Sequence, residues 1–120
     1  MSTTLSRDTF VDTWLDAWNN HDLERILAHY RQDVVFSSPL VASLVGEASG
    51  VLLGRKSLRP YFAAALARFP GLHFKLRHVL TGVRSVVLEY ETLDGVLAAE
   101  VMQLDEQGRI AQVQCHYLCS

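Results

Sequence analysis

One carboxylate stands out as a group that could do chemistry. In Leu97-Ala98-Ala99-Glu100-Val101-Met102 every neighbour of Glu100 is apolar on both faces of the pleat, so an extended strand gives it no polar company. Parity places Ala98, Met102 and Leu104 on the face of Glu100, while the opposite face ends in Gln103 and Asp105; Glu100 therefore points inward. An unpaired ionised carboxylate in apolar surroundings is costly, so the group must be neutral, hydrogen-bonded or turned toward a wet cavity, and a cavity is the reading adopted. No basic residue lies near it in sequence, so burial is expected to raise its pKa. A carboxyl of that kind can serve as an acid or proton shuttle. Tied instead to a backbone amide or an arginine, it would be a structural group.

Two further residues are candidates for work beside it. The last strand pattern begins with Ile110 inward, yet its later apolar set is Val113, Cys115 and Tyr117, which requires a switch of parity. A β-bulge near Ala111-Gln112 would add one residue and re-aim the side chains, turning Tyr117 inward and His116 outward. Tyr117 is then a hydrogen-bond donor to Glu100 or to a ligand, or a packing residue. His116 alone could supply a base beside Glu100, and only if the bulge lies elsewhere; otherwise it is an exposed or dimer-face histidine. Glu100, Tyr117 and His116 are thus the catalytic candidates. Trp14, Trp18, Tyr30, Phe36, Ser38, Tyr61, Phe62 and Met102 are the candidate substrate-binding walls, although their helical or strand spacing marks them first as core. His29, His73 and His78 have no partner at ligand spacing, and no metal or cofactor site is expected. Glu89 and Glu91 share one strand face, read as the outer polar face of the sheet or part of a subunit contact. Cys115 and Cys119, four apart on one strand, cannot bridge each other and are read as reduced packing residues.

The elements that must position these groups are legible in the periodicity. Ser6 can cap a helix carrying Phe10, Val11, Trp14, Leu15 and Trp18 at three- and four-residue spacing. Asn19-Asn20-His21 breaks it, Asp22 recaps, and Leu23, Ile26, Leu27 and Tyr30 mark a second, shorter helix. Val34 to Ser38 is a strand closed by Pro39, and residues 40–54 read as a loop, a possible lid, with one short strand at Val51-Leu52-Leu53. Ser57 can cap a third helix with Pro60 in its first turn and Leu58, Tyr61, Phe62, Ala65, Leu66 and Phe69 as its buried stripe. Four strands follow, about 72–80, 84–93, 96–105 and 109–118, joined at Thr81-Gly82, Asp94-Gly95 and Gln107-Gly108. Helices first and a meander of antiparallel strands last predict an α+β domain spanning residues 1–120.

Composition narrows the function classes. A chain of 120 residues with 49% hydrophobic content suits one domain with a sizeable core. Its net charge of -2, without a basic stripe, argues against nucleic acid. No apolar run approaches the roughly 20 residues of a membrane span, and the first residues lack the charged and apolar regions of a signal peptide, so no membrane partner and a cytoplasmic location are expected.

The run from Trp14 to Leu23, then Tyr30 to Pro39, resembles the opening of SnoaL-like proteins in the nuclear transport factor 2-like superfamily. The helix start Gly54-Arg55-Lys56-Ser57-Leu58 and the turn Asp105-Glu106-Gln107-Gly108-Arg109-Ile110 fit the same pattern. The resemblance implies a cone-shaped fold in which three helices from the first half pack into the concave face of a curved, mostly antiparallel sheet, with a pocket between. It implies a homodimer through the convex face, where Val87, Ala99 and Val101 would otherwise be wet. The fold hosts isomerases, cyclases, hydrolases, dehydratases and binding modules. Set against the ketosteroid isomerase template, a worked case of an Asp base facing an oxyanion hole of Tyr and protonated Asp, the base falls on Ser38, the Tyr on Trp14 and the protonated acid on Glu100. Neither Ser38 nor Trp14 can play the template's part, and only the buried acid carries over. The function expected is a pocket protein for a small apolar molecule, acting as an acid/base enzyme on a carbonyl-bearing compound; the alternative is a non-catalytic ligand-binding or dimerisation module.

Overall fold

The computed structural model describes residues 2–119, with side chains from Thr9 to Cys119. The chain forms helices α1 (Ser2–Asn19) and α2 (Leu23–Leu27), strand β1 (Tyr30–Ser37), helix α3 (Leu40–Val45), strand β2 (Val51–Leu53) and helix α4 (Arg55–Arg68). Strands β3 (Lys75–Gly82), β4 (Ser85–Glu91), β5 (Leu97–Leu104) and β6 (Ile110–Tyr117) complete it. The fold is α+β, with one curved, unclosed sheet in the order β2-β1-β6-β5-β4-β3. Every neighbouring pair is antiparallel except β1 and β6, which run parallel.

Several boundaries differ from the expectation, each for a physical reason. α1 includes Ser6 rather than starting after it, and the Ser6 side chain, proposed as a cap, lies outside the described residues. Tyr30 does not close the second helix; it opens β1, buried and paired with Ile110. The stretch read as a loop contains a fourth helix, α3, whose six residues are too few to display a period and which Gly46 stops in the left-handed region at φ 77°. α4 is capped at Gly54, not Ser57, so Pro60 sits in its second turn. The carbonyl that the Pro60 amide would have bonded belongs to exposed Lys56, where water can take its place. β3 begins at Lys75; Leu72 and Phe74 are buried ahead of it, off the sheet. The first hairpin turns at Val83-Arg84, with Gly82 paired to Ser85, rather than at Thr81-Gly82.

The core is one cluster between the helices and the concave side of the sheet. α1 contributes Trp14 and Ala17, neither measurably exposed, α4 contributes Leu58 and Phe62, and the strands contribute Val34, Leu88, Met102 and Val113. α1 is pinned to the sheet side at its last residue. The Asn19 side chain donates to the Phe74 carbonyl at 3.0 Å and accepts from the Phe74 amide at 2.7 Å, satisfying both backbone groups of a residue outside any ladder. Asn19→Ala strands both groups and is expected to cost about 1–3 kcal/mol in a urea titration; a midpoint equal to that of the unchanged protein would show that water replaces the clasp.

Candidate active site

The bulge decides which side chains reach the concave face. In β6 the register with β5 runs Gln103 to Gln112 and then Leu104 to Ile110, so Ala111 is the extra residue. Beyond it, Val113, Cys115 and Tyr117 face inward, while Gln112, Gln114 and His116 are exposed on the other side. Cys115 is the cross-strand partner of Glu100, and His116 pairs with Ala99 on the outer face. Tyr117 is thus in the site and His116 is not.

Glu100 is 4% exposed and makes one hydrogen bond: the Tyr90 hydroxyl donates to Oε2, while Oε1 has no partner. Burial pushes its pKa up to about 7; the Tyr90 hydroxyl, and then the Cys115 thiol beside it, act in the opposite sense. No lysine, arginine or histidine is paired with it among the described residues. Burial, and secondarily the Glu100 charge, hold the Cys115 thiol well above its ordinary range, so it is a protonated neighbour rather than a thiolate. Burial likewise raises Tyr90, Tyr61 and Tyr117, which act at neutral pH only as hydroxyls.

Above Glu100 lies a cavity of about 330 Å³, at the small end of ligand-sized clefts. Its floor is Tyr90, Glu100, Cys115 and Tyr117 from the sheet; Trp18, Phe36, Tyr61 and Phe62 form the walls. The mouth lies between Leu40 and Leu44 of α3 on one side and Leu93, Asp94 and Val96 of the β4–β5 turn on the other. Asp94 is held there at φ 57°, the left-handed conformation that a tight hairpin between β4 and β5 requires. The lining includes two acids, Asp94 and Glu100, and no basic side chain. A larger hollow of about 610 Å³ lies elsewhere, around Glu24, Gly54, Arg55 and Arg59, but Arg59 is committed to Glu24 at 2.5 Å and the hollow is open.

Of the eight residues expected to line the pocket, Trp18, Phe36, Tyr61 and Phe62 do so. Trp14, Tyr30, Ser38 and Met102 stand behind the wall instead. The Trp14 indole donates to the Tyr30 hydroxyl at 3.4 Å, so these two satisfy each other in the core. Ser38 accepts from the Tyr61 hydroxyl at 3.3 Å and from the Leu40 amide at 3.2 Å, tying the end of β1 to α4 and the start of α3. Met102 fills the core one row away from Glu100, opposite Val86 and Val113. Tyr90 and Cys115 are site residues that sequence reasoning missed in that role. A signal for Tyr90 existed: outward Glu89 and Glu91, which meet His78 through a hydrogen bond and Arg77 through an ion pair, force the residue between them inward. Cys119, read as packing, is exposed.

The sequence model of the SnoaL-like domain family matches residues 11–113. No curated protein matches the chain. Among solved structures, a SnoaL-like protein of unknown function from Burkholderia thailandensis is 38% identical; the match covers 93% of this chain and 94% of that one, with a TM-score of 0.86. A nuclear transport factor 2-like protein of unknown function from Cytophaga hutchinsonii is 12% identical over 91% of this chain and 87% of its own, with a TM-score of 0.69. SalBIII, an epoxide hydrolase/cyclase-like enzyme of pyran ring formation in the polyether salinomycin, is 19% identical over 98% of this chain and 95% of its own, with a TM-score of 0.76. At such identities the last two speak for the cone-shaped fold alone. A family model spanning most of the chain, together with the extensive likeness to the Burkholderia protein, establishes that this protein belongs to the SnoaL-like family.

Proposed function

We propose that the protein takes a small, largely apolar, carbonyl-bearing molecule into this cavity and acts on it as an acid/base enzyme of the isomerase, cyclase or hydrolase/dehydratase type. The observation that carries the reading is Glu100: a buried carboxyl with one oxygen held by Tyr90, the other unpartnered, and a pKa brought to about 7 by burial. A group balanced near neutral pH both gives and takes a proton readily, and an apolar cavity keeps competing water out. Tyr117 supplies a second hydroxyl on the same floor. The likeness to SalBIII, an epoxide hydrolase/cyclase-like enzyme, is compatible with this chemistry. A thermal-shift screen of small carbonyl compounds finds ligands, and Glu100→Gln is then compared with the unchanged protein. Gln keeps the shape and accepts the Tyr90 hydrogen bond but carries no transferable proton, so turnover is expected to fall by about 10²–10⁴ with the fold intact. Unchanged turnover across every substrate found would end the catalytic reading.

The second reading, a non-catalytic ligand-binding or dimerisation module, is favoured by one observation: no histidine or lysine lines the cavity with Glu100, His116 being on the far face, and the second carboxylate, Asp94, belongs to the exposed β4–β5 turn. Ligands that bind without turnover, and whose binding survives Glu100→Gln, are its expected signature.

We also propose a homodimer through the outer face of the sheet. Leu80, Val87 and Val101 lie in one cross-strand row there, beside Ala99, and Leu80 is 56% exposed. Uncovered, such a row is an apolar patch in water. Light scattering at tens of micromolar, a dose of about the order at which weak dimers hold, should report twice the monomer mass, and Val101→Lys should halve it. A monomeric unchanged protein contradicts the proposal.

A further inference from the structure

The outer face of the sheet is ordered by charge as well as by apolarity. Strand register sorts its outward side chains into cross-strand rows. The middle row runs Leu80, Val87, Val101, Gln114, Ser37 and Val51, from β3 to β2, and none of its members carries a charge. On one side of it lie His78, Glu89, Ala99 and His116, with the Arg77 and Glu91 ion pair beyond them. On the other side lie Gly82, Ser85, Gln103, Gln112, Val35 and Leu53, again uncharged. Both ends of the face leave apolar side chains in water, with Leu80 56% and Leu53 68% exposed. Charge is thus confined to one side of an uncharged row.

A two-fold contact between stacked sheets limits what each row can hold. The axis lies in the plane between the sheets, so residues on it meet their own copies while the rows on either side exchange places. A charged group on the axis therefore meets the same charge. A glutamine there meets a glutamine, and because its amide both donates and accepts, it can bond to its own copy. An axis along the row of His78 and His116 sets Glu89 against Glu89. An axis along the row of Gln103 lays Leu80 and Val87 over the Val83-Arg84 turn, where the β3–β4 hairpin ends and cover is least. An axis along the middle row avoids both faults: it sets Val101 on Val101 and Gln114 on Gln114. It also brings Gln112 to His116 of the partner subunit and Ser85 to Glu89 of the partner subunit, an amide to an imidazole and a hydroxyl to a carboxylate. We infer that the partner for this face is a second copy of the chain stacked with its two-fold axis along the middle row, so that Val101 and Gln114 meet their own copies at the centre. This rests on the homodimer reading above and adds the mode of pairing. Stacked sheets cross at about 30°, so the contact between identical residues is closest at the middle of the row, on β5 and β6.

Mixing charge variants tests the axis. Gln114→Glu and Gln114→Lys each set a charge against its own copy, so each alone is expected to weaken the dimer by about 10²-fold and to approach the monomer mass in light scattering. Mixed in equal amounts, they place Glu opposite Lys and are expected to restore the dimer mass. The same two changes at Gln103, which faces Ala99 of the partner subunit in this arrangement, are expected to show no such rescue: their mixture weighs as the mean of the two variants alone. Gln114 is exposed, so the substitutions leave the core untouched. If either fails to fold, Val101→Glu mixed with Val101→Lys makes the same test one strand away. With the unchanged protein dimeric, Gln114 variants that stay dimeric alone, a Gln114 mixture that gains no mass over its components, or rescue at Gln103 overturns this axis while leaving the homodimer reading in place. A monomeric unchanged protein overturns both.

Discussion

Stability is expected to fall as pH rises from about 4.5 to about 7, because the folded protein binds a proton at Glu100 that the unfolded chain has released. The ordinary carboxyl value is 4.5 and burial brings Glu100 to about 7. Between these values the native state holds more protons than the unfolded state, so the slope of stability against pH is negative. The contribution of a raised carboxyl is fully present below the unfolded pKa and is lost as pH climbs through the folded one. A displacement of that size corresponds to about 3 kcal/mol for a fully buried group. Other groups act in the opposite direction. Glu24, Asp33, Glu47 and Asp105 are held below their ordinary values, chiefly by hydrogen bonds from Arg59, Arg31, Ser49 and the Arg109 amide respectively, and they add stability as pH rises through a more acid range. His29 is depressed by burial, so it resists protonation in the fold and adds stability as pH rises toward its ordinary 6.5. The clean measurement is therefore the difference between the unchanged protein and Glu100→Gln, by urea titration at half-unit steps from pH 5 to 8. The difference should favour Gln increasingly with pH and level off above pH 7. Parallel curves would mean that Glu100 titrates normally and that its unpartnered oxygen meets water.

Trp14→Ala is expected to be the most destabilising single change, by about 3–5 kcal/mol, which is the range for deleting a large buried aromatic. Trp14 has no measurable exposure and sits at the junction of the helices and the sheet, with ring centroids 5.6 Å from Phe74, 5.8 Å from Tyr90 and 6.3 Å from Trp18. Its removal leaves a void, frees the Tyr30 hydroxyl of its donor and loosens Tyr90, the residue that holds Glu100. Against a typical domain stability of about 5–15 kcal/mol, such a loss unfolds a measurable share of the chain at physiological temperature. Trp14→Phe, which keeps most of the volume, should cost less than half as much. A small effect of Trp14→Ala would indicate that the neighbouring rings collapse into the space, and chemical denaturation with a probe of tertiary packing distinguishes the two outcomes.

What the sequence by itself determined here is periodic. Alternation along 97–104 placed Glu100 inward without any tertiary information, because a pleat assigns faces by parity alone. The change of phase within 110–117 placed the bulge near Ala111-Gln112, because one extra residue inverts every side chain after it, and the register with β5 fixed it at Ala111. The recurrent apolar positions of α1 and α4 identified their buried faces in the same way. Tertiary structure alone decided what lies opposite those faces. No local pattern distinguishes Trp18, which lines the cavity, from Trp14 one turn earlier, which is sealed behind it; that difference depends on where Phe62 and Phe74 arrive from distant parts of the chain. The short helix α3 at the mouth carried too few residues for a period, and Tyr90 and Cys115 became partners of Glu100 only when β4 and β6 flanked β5 in register. Parity tells a side chain which way to face, whereas its company depends on strand order and register, contacts between segments that one-dimensional spacing does not encode.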